Sequence, residues 1–111
     1  MRFIWSDGSL HLEGFTAPVL NVLLVDGSLF VLLDPETPST TANTSGVCQN
    51  MLRFSGSDEP HFVGLPTTTT GDTYTSMRSI GNGRMLQADS WSGYRVAIGS
   101  NGKIARTEFL K

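Results

Sequence analysis

Between Val19 and Leu33 the chain reads VLNVLLVDGSLFVLL, two nearly unbroken apolar runs separated only by Asp26-Gly27. A two-residue hairpin turn that matches strand twist needs positive φ at both central residues. Asp-Gly between hydrophobic runs is its strongest local signal. Valine and leucine on both sides of each run predict a hairpin covered on both faces, which makes it the centre of a core. A chain organised around such a hairpin is expected to be all-β.

The rest of the sequence agrees with that expectation. Charged residues are only 16% of the 111, and glycine occurs 12 times. That composition suits short strands and tight turns better than helices, which favour Glu, Lys and Ala. Asp7-Gly8 separates strand candidates at 2–5 and 9–12, and Pro18 marks 14–18 as a connection, since proline cannot donate to a central ladder. Residues 34–46, DPETPSTTANTSG, form a long polar loop unable to order itself through a core of its own. Further candidates lie at 47–54 and 61–65, then at 73–80 and 84–91 around an Asn82-Gly83 turn. After Ser92-Gly93, Tyr94, Val96 and Ile98 alternate with Arg95 and Ala97, the pattern of a strand with one wet face. Ser100-Asn101-Gly102 turns the chain into 103–110. The sum is one domain, 1–111, of about eight or nine short strands in an antiparallel meander, folded as a sandwich or a small partly open barrel. The length suffices for a core without disulfides or metals.

Net charge is −2, too small to argue for nucleic acid as a partner. Its distribution is uneven. Residues 34–72 carry one base against five acids, whereas residues 73–111 carry six bases against two acids. A β-fold that interleaves these segments would neutralise the pattern. Cys48 is the single cysteine, which fits a reducing compartment. The start, MRFIWSDGS, lacks the apolar region of a signal peptide, and 19–33 is too short to span a bilayer. Cytoplasmic residence without membrane attachment is the expectation.

No residue set announces catalysis, and no metal or other cofactor is expected. His11 and Glu13 share a strand face but have no third ligand, and His61 stands apart. Cys48 has no histidine placed beside it and suits a small core position. No GxSxG elbow occurs, and the Asp58-Glu59 carboxylates point to different sides. GNGR at 81–84 has hairpin composition rather than that of a phosphate loop.

Binding is the class that the residues favour. Trp91 and Tyr94, with Trp5, lie near turns where amphipathic rings serve as anchors; core packing is the plainer role for such rings. Asp34, Glu36, Asp58, Glu59 and Asp72 all fall on expected loops or their edges, where carboxylates would speed encounter with a basic protein.

WSGYRVAIGSNGK at 91–103 and NVLLVDGSLFVLL at 21–33 resemble hairpins of small bacterial immunity proteins. These are encoded beside contact-delivered toxins and block the toxin domain by binding it. Phe30 or Leu32 stands where the similar hairpin carries tryptophan, and the 34–46 loop has no counterpart. The resemblance contains no site motif, so no functional residue transfers. It implies a protein, monomeric when free, that occludes the cleft of a cognate toxin domain, such as a basic nuclease. The rival expectations are a structural module of a phage or secretion apparatus and a small carbohydrate-binding β-domain using Trp91 and Tyr94.

Overall fold

The computed structural model describes residues 3–6, 9–12, 15–34, 49–56, 60–66 and 72–110, with residues before Pro18 described by their backbone alone. Within them the chain builds two antiparallel sheets in strict sequence order. The first contains β1 (Phe3–Ser6), β2 (Ser9–Leu12), β3 (Phe15–Val25), β4 (Ser28–Leu33), β5 (Met51–Ser55) and β6 (His61–Phe62). The second contains β7 (Tyr74–Ile80), β8 (Met85–Ser90), β9 (Tyr94–Gly99) and β10 (Ile104–Phe109). No ladder joins the two sheets among the described residues, so the fold is a β-sandwich. The ten described strands exceed the expected eight or nine because even the shortest candidate, the two-residue β6, pairs.

The central hairpin forms as its sequence dictates. Asp26 and Gly27 have φ of 46° and 86°, and Val25 pairs with Ser28 across them. β4 is covered on both faces: Phe30 and Leu32 enter the main core, while Val31 and Leu33 join Leu52 in a second buried cluster on the opposite face. β3 departs from that expectation. It leaves Leu20, Val22 and Leu24 exposed, Leu24 by 68%. The reason is partner exchange. β2 pairs with β3 only as far as Pro18, and β4 takes over from Val19 through a bulge at Leu20. The second half of β3 is therefore an edge strand among the described residues.

Two local expectations are corrected. Pro18 lies inside β3 rather than in a connection, opposite Ser9, and its carbonyl accepts the Asp34 N–H at 2.9 Å. It sits at the end of one ladder and beside the bulge, the kind of position that tolerates a missing donor. Asn82-Gly83 is part of a four-residue loop closed by the Ile80–Met85 pair, with positive φ at Gly81, Asn82 and Gly83. Sequential topology places the bases Arg78, Arg84, Arg95, Lys103 and Arg106 in the β7–β10 half, whereas Glu36, Asp58 and Glu59 of the acidic segment lie outside the described residues.

Val25, Phe30, Leu32 and Met51 pack against Tyr74, Met77, Leu86, Ala88, Val96 and Ile98. Fully burying a side chain of Leu or Phe size stabilises by roughly 1.5–3 kcal/mol. Directional ties fix how the sheets lie on each other. Asn50, fully buried, donates from Nδ2 to the carbonyls of Leu33 (2.9 Å) and Tyr74 (2.8 Å), and its Oδ1 accepts the Tyr74 N–H at 3.0 Å. Away from that end, Ser28 Oγ and Arg53 Nε both donate to the Ser100 carbonyl. Asn50→Ala removes every bond of that amide and leaves a buried N–H and two carbonyls unpaired. Urea denaturation should show a loss of about 3 kcal/mol or more, at about 1–3 kcal/mol for each orphaned group.

Candidate functional site

The turn from β8 to β9 is tied to its surroundings on three sides. The Trp91 N–H donates to the Thr73 carbonyl at 2.8 Å, and the Gly93 N–H to the Ser90 carbonyl at 3.1 Å. The Gly93 carbonyl accepts the Leu110 N–H at 2.8 Å, which brings in the end of β10. Asp72 lies beneath the turn. Its Oδ1 accepts the N–H groups of Thr73 and Ser92, each at 3.0 Å, and its Oδ2 accepts the Ser92 hydroxyl at 2.8 Å. Ser90 Oγ accepts the Tyr94 N–H at 3.2 Å.

The tethered backbone presents an untethered side chain: Trp91 is 72% exposed. Core packing is therefore not its role. Tyr94 packs on Phe109 across the β9–β10 pair, with ring centroids 4.8 Å apart and planes tilted by 47°. Phe109 and Leu110 are themselves exposed, so these four residues form an aromatic corner at one end of the second sheet. A turn backbone held in place before binding leaves only the side chains to be ordered on association.

The carboxylates expected to meet a partner fare differently. Asp72 is 1% exposed and occupied by the turn, so it positions Trp91 rather than docking a protein. Asp34 is half-buried at the end of β4. Glu36, Asp58 and Glu59 lie outside the described residues, as does Cys48. The structure thus gathers Trp91 and Tyr94 with the buried Asp72. Phe109 and Leu110 were not singled out in the sequence. The available signal was register, because a final hairpin closing at Ser100–Gly102 returns the chain past Tyr94.

Among the described residues no three His, Cys, Asp or Glu side chains group as metal ligands, and no helix is long and apolar enough to cross a membrane. Fold and surface together define a β-sandwich with an exposed aromatic corner on a tethered turn. Compared with known proteins, the chain matches no family model, no curated protein and no solved structure.

Two outcomes follow from this geometry. Asp72→Ala should cost about 2–3 kcal/mol, since hydrogen bonds to a charged acceptor are worth about 1.5–3 kcal/mol. In a Trp5→Phe background, where Trp91 is the sole indole, the same change should lower its fluorescence anisotropy. The second concerns Tyr74, whose hydroxyl donates to the Gly64 carbonyl at 2.7 Å. Burial, helped by the Asp72 charge, pushes its phenol above the ordinary tyrosine range. A raised folded pKa favours the protonated form, so its stabilisation is complete below the unfolded value near 10 and is lost as pH rises beyond it. The stability advantage over Tyr74→Phe should be constant from pH 7 to 9 and shrink above about pH 10 in chemical denaturation.

Proposed function

We propose that this protein acts by docking onto a protein partner and blocking it, in the manner of the immunity proteins its hairpins resemble. The observation that carries the reading is Trp91, exposed on a turn whose backbone is fixed by Asp72, Ser90 and Leu110. An exposed tryptophan on a rigid support beside Tyr94, Phe109 and Leu110 has the composition of an interface centre, where Trp and Tyr supply most of the binding energy. The aromatic corner replaces the loop carboxylates as the centre of the surface, because Asp72 is spent internally. The inhibited partner is a toxin domain whose active cleft the sandwich covers, met in the cytoplasm.

A photo-crosslinking residue placed at position 91, with position 82 as a control, captures the partner in the native cell. The partner captured at 91 should be toxic when expressed alone and harmless when this protein is co-expressed. Trp91→Ala should weaken the complex by about 30-fold, the range of a hot-spot truncation, and withdraw protection. Its fold stability should change by less than about 0.5 kcal/mol, as for other exposed positions. Capture of only this chain, or of a large particle, would favour a structural module instead. A captured glycan-bearing species whose binding free sugar competes away would favour carbohydrate recognition.

A further inference from the structure

The outward face of the second sheet carries a row of side chains that crosses all four strands. Register places Arg78 of β7 opposite Gln87 of β8, Gln87 opposite Ala97 of β9, and Ala97 opposite Arg106 of β10. The next row is Ser76, Asp89, Arg95 and Glu108. The two arginines that end the first row are exposed and have no carboxylate within salt-bridge distance among the described residues. Arg95 is different. Asp89 binds it through two bonds, Nε to Oδ1 at 2.9 Å and Nη2 to Oδ2 at 3.2 Å, and its charge is answered.

Gln87 is the telling residue. With its amide oriented so that the oxygen faces the guanidinium, the assignment that satisfies both groups, Gln87 Oε1 accepts from Arg78 Nη2 at 2.9 Å and Nε at 3.0 Å, while Arg95 Nε is already given to Asp89. A neutral oxygen thus occupies the place a carboxylate would take. It holds the Arg78 fork in a fixed geometry without neutralising it. A guanidinium oriented in advance and still carrying its full charge is suited to a planar anion. An open hollow of about 190 Å³, lined by Ser76, Met77, Arg78, Gln87, Asp89 and Arg95, lies at that end of the row. At the other end, Ala97 leaves a gap among Gln87, Arg95, Arg106 and Glu108.

We propose that the Arg78–Gln87–Ala97–Arg106 row is a docking surface for a carboxylate-rich segment of a protein partner. Striping argues for protein over nucleic acid. Asp89 is taken up by Arg95, but Glu108 stands two residues along β10 from Arg106. Its carboxylate would repel a strand bearing phosphate at every unit, while leaving a place for a basic residue of a mixed-sign protein surface. The proposal rests on the protein-docking reading only for its choice of a macromolecular partner. It adds that the partner face meeting this sheet is acidic, which the loop carboxylates had not suggested.

The test uses the full chain labelled with ¹⁵N and two probes, a capped octapeptide of alternating Glu and Ala and the oligonucleotide dT10. Addition of the peptide should shift the Nε–Hε signals of Arg78 and Arg106 and the Gln87 side-chain amide. Raising salt from 50 to 500 mM should weaken the binding by tenfold or more. Gln87→Glu supplies an internal carboxylate to Arg78 and keeps every guanidinium in place. It should also weaken peptide binding at least tenfold, while leaving the melting temperature unchanged or raised. Arg78→Gln combined with Arg106→Gln should do the same. No localised shift, undiminished binding to Gln87→Glu, or tighter binding of dT10 at this row would each overturn the proposal. Trp91→Ala should leave peptide binding intact, so failure of the aromatic corner as a docking centre is read separately from failure of the arginine row.

Discussion

The amide of Asn50 is the contact on which the arrangement of the two sheets depends. Apolar packing between the sheets is strong but has no direction, so it does not by itself choose one alignment over a neighbouring one. Asn50 supplies the choice. Its side chain exchanges two hydrogen bonds with the Tyr74 backbone, as an opposing strand residue would, and also holds the Leu33 carbonyl. The same device recurs in weaker form: Asn21 Nδ2 reaches the Met77 carbonyl at 3.0 Å, and Ser28 and Arg53 reach that of Ser100. In every case the first sheet gives the side chain and the second gives the backbone carbonyl. These ties lie at separate places in the sandwich, which leaves little room for one sheet to slide over the other.

Fold and surface are coupled through three consecutive residues. Tyr74 takes the Asn50 bonds, Thr73 gives its carbonyl to Trp91, and Asp72 holds Ser92. The segment entering β7 therefore anchors the core on one side and the exposed turn on the other. A buried carboxylate is costly unless its acceptor sites are filled, and here backbone N–H groups and a hydroxyl fill them. What Asp72 gains in return is a fixed turn. Trp91 can remain outside the core because its backbone is secured without its ring.

Legibility in the sequence followed the range of the interaction. Asp26-Gly27 acts within two residues and was plain, as was the alternation of β9 from Tyr94 to Ile98. Asn50 and Tyr74 are separated by 24 residues, and Asp72 and Ser92 by 20. No local pattern distinguishes a polar residue that will be buried against a distant backbone from one that will be solvated. Asp72 at the end of a threonine-rich loop has the composition of a solvent-exposed carboxylate, and only the return of the β8–β9 turn buries it. Pro18 misled for a related reason, since its tolerance in β3 depends on which neighbour, β2 or β4, each part of the strand is pairing with.

Topology also explains why the uneven charge survives folding. An antiparallel meander that completes one sheet before starting the next keeps early and late segments in different layers, whereas a Greek key would mix them. The basic residues Arg78, Arg84, Arg95, Lys103 and Arg106 therefore share one sheet and its turns with Asp72, Asp89 and Glu108 as the described acids. A small net charge conceals this separation. A partner approaching from more than a Debye length, about 8 Å at physiological salt, meets a nearly neutral molecule. Close to the surface it meets a layer of definite sign. In the proposed docking, orientation would be set late in the encounter, by the arginine row and the aromatic corner together, with steering and anchoring on the same sheet.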